Sequence, residues 1–126
     1  MLDRFPPYAM LAISDMERAK RWYREKLGLV PNIEDPAGAW YEVAGGGFSL
    51  FPTPSAGTAQ NTVMAWSVDD IDAVVDHLRG RGVAFERFDA PGLTWDGDIA
   101  LMGSRRVAWF KDSEGNTIAV RQPVDS

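Results

Sequence analysis

The side chains that could do chemistry in this sequence are few and dispersed. There is one histidine, His77, and there is no cysteine, which excludes disulfides, thiolate metal sites and cysteine nucleophiles. Asp96 and Asp98 form a D-x-D pair, which could bind a cation or act in acid–base catalysis, although acids in loops are commonly solvated. Because His77 has neither a second histidine nor an evident serine partner, the sequence predicts no histidine metal centre and no nucleophilic triad.

The composition and charge of the chain limit its partners. The 126 residues are 45% hydrophobic, which suits one compact domain over 1–126. The formal net charge of −5 repels phosphate backbones and argues against nucleic acid, whereas a cationic small molecule would suit it. No stretch approaches the roughly 20 apolar residues of a membrane span, and the N-terminus lacks a signal-peptide core. The sequence therefore predicts a cytoplasmic protein with no membrane partner.

Two helical patterns recur in the chain with an offset of 54 residues. Asp15 precedes the first pattern, which ends at Gly28, and Asp69 precedes the second, which ends at Gly82. An apolar run comes before each helix and three extended runs follow it, so each half is predicted to be strand-helix-strand-strand-strand. The strands expected after the helices span 29–34, 39–43, 48–51, 83–88, 106–111 and 117–122.

This repeat divides the chain into two modules. Module 1 covers about 5–53, a linker of small residues covers about 52–61, and module 2 covers about 62–122. Module 2 contains an additional stretch, 89–104, which we interpret as a long irregular connection. Such a segment is either a wall or lid of a binding site or a plain insertion.

Three segments carry the repeat most clearly: LAISDMERAKRWYREKLGL, VDDIDAVVDHLRGRGV and WFKDSEGNTIAV. They resemble the vicinal oxygen chelate superfamily, which includes glyoxalase I, extradiol dioxygenases and bleomycin resistance proteins. The chain is especially similar to glyoxalase-like proteins of unassigned activity. The resemblance implies an α+β fold in which two tandem βαβββ modules form an open, curved, mixed β-barrel with the helices outside. It also implies a homodimer.

Enzymes of this superfamily hold a divalent metal with four inward-facing side chains, usually His, Gln or Glu. The resemblance places these positions at Tyr8, at either Ser49 or Phe51, at Val63 and at Ala119. None of them is a usual ligand for Zn²⁺, Ni²⁺ or Fe²⁺, which favour imidazole nitrogen and carboxylate oxygen. The resemblance therefore implies a member of the family with neither a metal nor another cofactor in its cleft.

Strand alternation around these four positions predicts the lining of the cleft. Trp95 is expected to close over a ligand from the long connection, and Trp40 and Trp109 either border the cleft or pack in the core. Met64, Trp66, Val68, Ile118 and Val120 are expected on the opposite faces, under the helices. The predicted ligand-binding residues are Tyr8, Met10, Ser49, Phe51, Val63, Ala65, Trp95, Trp109, Thr117, Ala119 and Arg121.

A small, apolar and aromatic lining with one cation at its rim is typical of a site for an organic molecule. The favoured hypothesis is a metal-free protein that binds a small aromatic or cationic molecule, acting by sequestration as bleomycin resistance proteins do. The alternative is a lyase, isomerase or dioxygenase, with or without a metal, that uses Glu42, Asp96 or Asp98. A purely structural or regulatory dimer is the third hypothesis.

Overall fold

The first half of the chain forms a four-stranded sheet with one α-helix against it. The computed structural model describes residues 1–123, so residues 124–126 of the predicted domain lie outside the described part. In the sheet, β1 runs parallel to β4, and β3 pairs antiparallel with both β4 and β2, which gives the order β1-β4-β3-β2. The elements are β1 (Ala9–Ile13), α1 (Met16–Trp22), β2 (Ile33–Asp35), β3 (Gly38–Val43) and β4 (Gly46–Pro52).

The second half repeats this arrangement with added strands. Its first strand, β5, runs parallel to β10, and the sheet continues in the order β5-β10-β9-β8-β7, with β6 also pairing with β9. The elements are β5 (Thr62–Ser67), α2 (Ile71–Gly80), β6 (Phe85–Glu86), β7 (Leu93–Asp96), β8 (Ile99–Met102), β9 (Arg105–Lys111) and β10 (Thr117–Pro123). The predicted α+β fold with an open arrangement of strands is confirmed: the described strands form two sheets and no closed barrel.

Both helices begin with an aspartate cap and are followed by a glycine in the left-handed region. Asp15 caps α1 by accepting from the N–H of Arg18, and the helix continues through a π-helical turn, Tyr23–Leu27, to Gly28. For α2 the predicted cap, Asp69, is wrong by one residue. Asp70 is the cap, because it is the Asp70 side chain that accepts a backbone N–H of the first turn, from Ala73 at 3.1 Å.

Two predicted strands are shorter than expected. The strand over 29–34 is reduced to β2, because Pro31 has no N–H for a ladder and Leu29 packs into the core instead. The strand over 83–88 is reduced to β6, because β8 occupies the neighbouring part of the same edge of β9.

The long connection 89–104 is a β-hairpin, so its interpretation as an irregular loop is wrong. β7 and β8 pair antiparallel across a turn at Asp96–Asp98, where Gly97 has a φ of +64°. An Asp-Gly step between two apolar runs is a hairpin signal, and β8 then extends the sheet by pairing with β9.

One hydrophobic core lies between the helices and the sheets of both halves. The predicted packing of Met64, Trp66, Val68, Ile118 and Val120 under the helices is confirmed, since all five belong to this core. Its largest fully buried members are Leu11, Ile13, Tyr23, Tyr41, Phe48, Leu50, Ile71, Phe110 and Ile118. Within residues 1–123, no helix is long and apolar enough to cross a membrane.

The turn between β9 and β10, residues 112–116, clamps the second half of the chain onto the first. The buried Glu114 carboxylate accepts the backbone N–H groups of Ser14 and Asp15 at 2.9 and 3.0 Å, and the Arg18 guanidinium at 2.8 Å. Burial alone would raise the pKa of Glu114, but hydrogen bonds from Arg18, Ser113 and the two N–H groups lower it to about 2.

Two further buried hydrogen bonds complete this clamp. The Tyr23 hydroxyl donates to Oδ2 of Asp112 at 2.6 Å, and the Asn116 amide donates to the backbone oxygen of Ala12 at 2.9 Å. Burial first, and the neighbouring Asp112 second, raise the pKa of Tyr23 well above its usual value, so the phenol stays a donor. The clamp therefore fixes how β1 and α1 sit against the second sheet.

Candidate functional site

The candidate site lies on the face of each sheet that is turned away from its helix, which we call the cleft face. In the first sheet, Met10, Ser49, Trp40 and Ile33 lie side by side on this face on four successive strands. In the second sheet, the equivalent row includes Ala65, Ala119 and Trp109. The sequence alone did not decide whether Trp40 and Trp109 border the cleft or pack in the core. The strand register shows that both lie on the cleft face.

The first half of the cleft face is open and partly aromatic. Tyr8 and Trp40 contact each other edge to face, with ring centroids 5.6 Å apart and ring planes at 85°. Tyr8 is 47% exposed, and the two rings line a groove of about 180 Å³ together with Ile33, Tyr41 and Glu42. We call this the Tyr8–Trp40 groove.

Gly47 makes room for this arrangement. A Cβ at Gly47 would lie 3.3 Å from Cε1 of Tyr8 and would also collide with the backbone oxygen of Tyr41. Because Gly47 pairs with Glu42 on the neighbouring strand, the Tyr8 ring lies beside the position of the Glu42 side chain. The glycine run between β3 and β4 therefore shapes the groove as well as the turn.

Ser49 is the one predicted position in the first half that is fully covered. Its side chain is buried, with the residue 2% exposed, and its Oγ has no hydrogen-bond partner in the described part of the chain. It lies between Met10, which is 59% exposed, and Trp40. Phe51, the alternative position, is half-buried one step further along β4.

The second half of the cleft face is filled by the protein's own aromatic side chains. Trp109 lies 4.8 Å from Phe88 and 6.0 Å from Trp95, measured between ring centroids, and its Nε1–H donates to Oγ1 of Thr62 at 3.2 Å. The Arg87 guanidinium lies 5.2 Å from the centroid of the Trp95 ring. We call Phe88, Trp95 and Trp109 the aromatic cluster.

The aromatic cluster covers the position at which the family comparison places a fourth metal ligand. Ala119 is directly paired with Trp109 in the ladder and is only 3% exposed. It packs with Ala100, Val107 and Trp109, and Trp95 from the β7–β8 hairpin lies against them. An alanine suits this place because a longer side chain would push into the packed cluster.

A β-bulge changes the exposure of Val63. Thr117 pairs with Thr62 while Ile118 pairs with Met64, so Val63 is the extra residue on β5. Thr62 therefore reaches Trp109 on the cleft face, whereas Val63 packs against the hydrophobic core between the helices and the sheets. Strand alternation alone cannot reveal such an irregularity.

The remaining predicted residues border the cleft face without forming one compact site. Ala65 is exposed and Thr117 is half-buried. Arg121 is exposed, and its Nε lies 3.3 Å from Oγ of Ser67. The structure thus brings Tyr8, Met10 and Ser49 together in the first sheet, and Trp95, Trp109 and Ala119 together in the second.

The side chains at the four family positions do not fit a catalytic metal ion. Val63 and Ala119 have no side-chain donor atom, and Ala119 is covered by Trp109. Within residues 1–123, no group of three or more His, Cys, Asp or Glu residues is placed to hold a metal. His77 lies exposed on α2, on the opposite side of the second sheet from the cleft face.

The carboxylates proposed for an enzyme are dispersed. Asp98 is paired with Arg79 of α2, with Nη2 to Oδ2 at 2.7 Å, and Asp96 is exposed beside the hairpin turn. Only Glu42 lies on the cleft face, in the Tyr8–Trp40 groove. Trp40, Glu42 and Phe88 are absent from the ligand-binding residues predicted from sequence. Alternation along β3 places Trp40 and Glu42 on the same face, but only the pairing of Trp40 with Ser49 on β4 identifies it as the cleft face.

Three solved structures illustrate what the fold is similar to. The antibiotic binding protein TnmS3 from Streptomyces sp. CB03234 is 24% identical, with coverage of 94% of this chain and 97% of that one and a TM-score of 0.63. A glyoxalase/bleomycin resistance protein/dioxygenase from Alicyclobacillus acidocaldarius is 13% identical, with coverage of 95% and 92% and a TM-score of 0.72. The fosfomycin resistance protein FosX from Listeria monocytogenes is 11% identical, with coverage of 92% and 90% and a TM-score of 0.66.

Sequence comparison agrees with the fold. No curated protein matches the chain significantly. The sequence family described as the glyoxalase/bleomycin resistance protein/dioxygenase superfamily matches residues 6–120, which is nearly the whole chain. The chain therefore belongs to the glyoxalase/bleomycin resistance protein/dioxygenase superfamily, and its two sheets agree with this assignment.

Proposed function

We propose that this protein binds a small organic molecule on the cleft face, without a metal ion, and acts by sequestration and not by catalysis. The observation that carries the proposal is the contrast between open aromatic walls at Tyr8 and Trp40 and donor-free residues at Val63 and Ala119. A concave site with aromatic walls and few polar groups suits an organic ligand. The shared fold of an antibiotic binding protein is consistent with this role.

Two measurements on the purified protein test this function. We expect metal analysis to find no stoichiometric Zn²⁺, Ni²⁺, Mn²⁺ or Fe²⁺, and added metal to leave Tm unchanged. We expect a thermal-shift screen of aromatic and cationic small molecules to yield ligands that raise Tm and are recovered unchanged after incubation. Stoichiometric metal, conversion of a bound ligand, or a screen without any stabilising molecule would each overturn the proposal. The lack of cysteine fits action in a reducing compartment such as the cytoplasm.

We infer that the protein acts as a homodimer whose partner covers part of the cleft face. Large apolar side chains stand exposed in both sheets, including Met10 in the first and, in the second, Phe88 of the aromatic cluster and Met102 on β8. Apolar exposure of this kind favours association. Light scattering coupled to size-exclusion chromatography should give twice the mass of the chain, and Met10→Lys should shift the mass toward the monomer. A monomer at all concentrations would refute the inference.

A further inference from the structure

We propose that the Tyr8–Trp40 groove selects an organic cation, with the two rings as aromatic walls and Glu42 as the counter-charge. The inference rests on the proposed function, because it assigns a ligand class to the same cleft face. It goes further by committing to one half of that face and to a positive charge on the ligand.

Two aromatic rings border the groove. Tyr8 and Trp40 contact each other edge to face at 85°, and both residues line the groove. A ring face carries negative charge density, so a ring that borders the groove attracts an ammonium group. The groove of about 180 Å³ has roughly six times the volume of a water molecule in the liquid, so it accommodates a substituted ammonium group.

Glu42 supplies the charge. It follows Trp40 by two residues on β3, so both side chains lie on the cleft face. The Glu42 backbone N–H donates to Oδ1 of Asn32 at 2.8 Å, whereas its exposed carboxylate has no hydrogen bond or ion pair in the described part of the chain. The carboxylate is therefore available to a ligand without first breaking an internal ion pair.

The described lining around Glu42 contains no competing cation. A second groove of about 390 Å³ adjoins the first and shares Tyr8 and Glu42 with it. Among the described residues that line the two grooves, Glu42 alone is charged, and no lysine or arginine is present. The rest of the lining consists of apolar, aromatic, glycine and asparagine residues, so a ligand with a positive head and a larger apolar body fits both grooves together.

The test compares two ligands that differ only in charge. Choline carries a quaternary nitrogen where 3,3-dimethylbutan-1-ol carries a carbon atom, so their shapes are nearly the same. Titration of each into ¹⁵N-labelled protein, followed by the Trp40 indole N–H signal, reports binding in the groove. We expect choline to bind at least about fivefold more tightly than the alcohol, as a cation–π contact at a partly exposed site allows.

Variants identify the groups responsible. Glu42→Gln should weaken choline binding about threefold and leave binding of the alcohol unchanged. Glu25→Gln, which removes the same charge from an exposed residue on the π-helical turn, should leave both affinities unchanged. Tyr8→Leu should remove the preference for the cation while keeping the fold, since Tyr8 is largely exposed.

The outcomes separate the two proposals. If neutral aromatic probes such as indole move the Trp40 signal and choline shows no advantage over the alcohol, the cation inference is wrong and the small-molecule function stands. If Glu25→Gln weakens choline binding as much as Glu42→Gln, overall charge acts instead of the groove, and the inference is also wrong. If neither cations nor neutral probes move the Trp40 signal, both proposals fall.

Discussion

The two halves of the cleft face descend from the same structural repeat but use their aromatic residues in opposite ways. In the first sheet, Tyr8 and Trp40 contact each other edge to face and line an open groove. In the second sheet, Trp109 packs against Phe88 and Trp95 and closes over Ala119. The difference shows that two halves with the same strand arrangement can hold different contents, because apolar packing fills one half while the other keeps an open groove.

The source of this difference is the β7–β8 hairpin. The first sheet ends at β2, whereas the second continues beyond β9 through β8 to β7. The hairpin brings Trp95 onto the cleft face, and Trp109 gains a partner that Trp40 lacks. The added strands thus convert half of a potential site into a small second core.

The largest expected effect is the loss of stability when Trp109 is removed from the aromatic cluster. Trp109→Ala should lower the free energy of unfolding by about 3–5 kcal/mol, because it empties a packed position beside Ala119. Tyr8→Ala should cost less than about 1 kcal/mol, since nearly half of the Tyr8 surface is already exposed. Urea denaturation of both variants measures the contrast. Similar losses in the two variants would mean that both halves are packed alike.

A somewhat smaller effect concerns the clamp that holds the two halves together. The pKa of Glu114 is about 2 in the folded protein and 4.5 is its ordinary value, so the clamp contributes stability above pH 4.5 that is lost as the pH falls toward 2. The full contribution is about 3 kcal/mol. Glu114→Gln should therefore flatten the dependence of the free energy of unfolding on pH between 4.5 and 2.

The control for this prediction is Glu25→Gln, which removes an exposed carboxylate that makes no ion pair in the described part of the chain. Its pH dependence should follow the parent protein. If Glu114→Gln keeps the parent's slope in acid, the clamp does not act through the Glu114 carboxylate.

Two hydroxyl positions, the buried Ser49 and the exposed Thr62, allow a finer comparison of the halves. Ser49 Oγ has no partner among residues 1–123, so Ser49→Ala should leave stability unchanged or raise it by up to about 1 kcal/mol. Thr62 accepts the Trp109 indole N–H, so Thr62→Val should lower stability by about 1 kcal/mol. Thermal unfolding of the two variants should give Tm changes of different sign or clearly different size. A loss in Ser49→Ala equal to that in Thr62→Val would show that Ser49 has a partner in solution.

Much of the fold could be predicted because its signals are local. Asp15, Gly28 and Gly82 mark helix ends, and Gly115 marks the turn between the last two strands with a φ of +87°. Each residue acts through its own backbone conformation or through neighbours within a few positions. The repeat of these signals then indicated two similar halves.

The candidate site was only partly predictable, because its contacts are distant in sequence. The bulge at Val63 depends on how β5 meets β10, and strict alternation therefore assigned Val63 to the cleft. The aromatic cluster requires Phe88, Trp95 and Trp109 to meet through a hairpin, whereas the sequence pattern of 89–104 predicts an irregular connection. Trp40 could not be assigned without the pairing of β3 with β4.

The most direct test of this account is to record the indole N–H signals of the five tryptophans while benzyltrimethylammonium is titrated into the protein. Single Trp→Phe variants assign the signals. We expect the Trp40 signal to move with ligand concentration while the Trp95 and Trp109 signals stay in place, because the first half of the cleft face is open and the second is filled. Movement of the Trp95 and Trp109 signals with a fixed Trp40 signal, or no movement of any signal, would contradict the account.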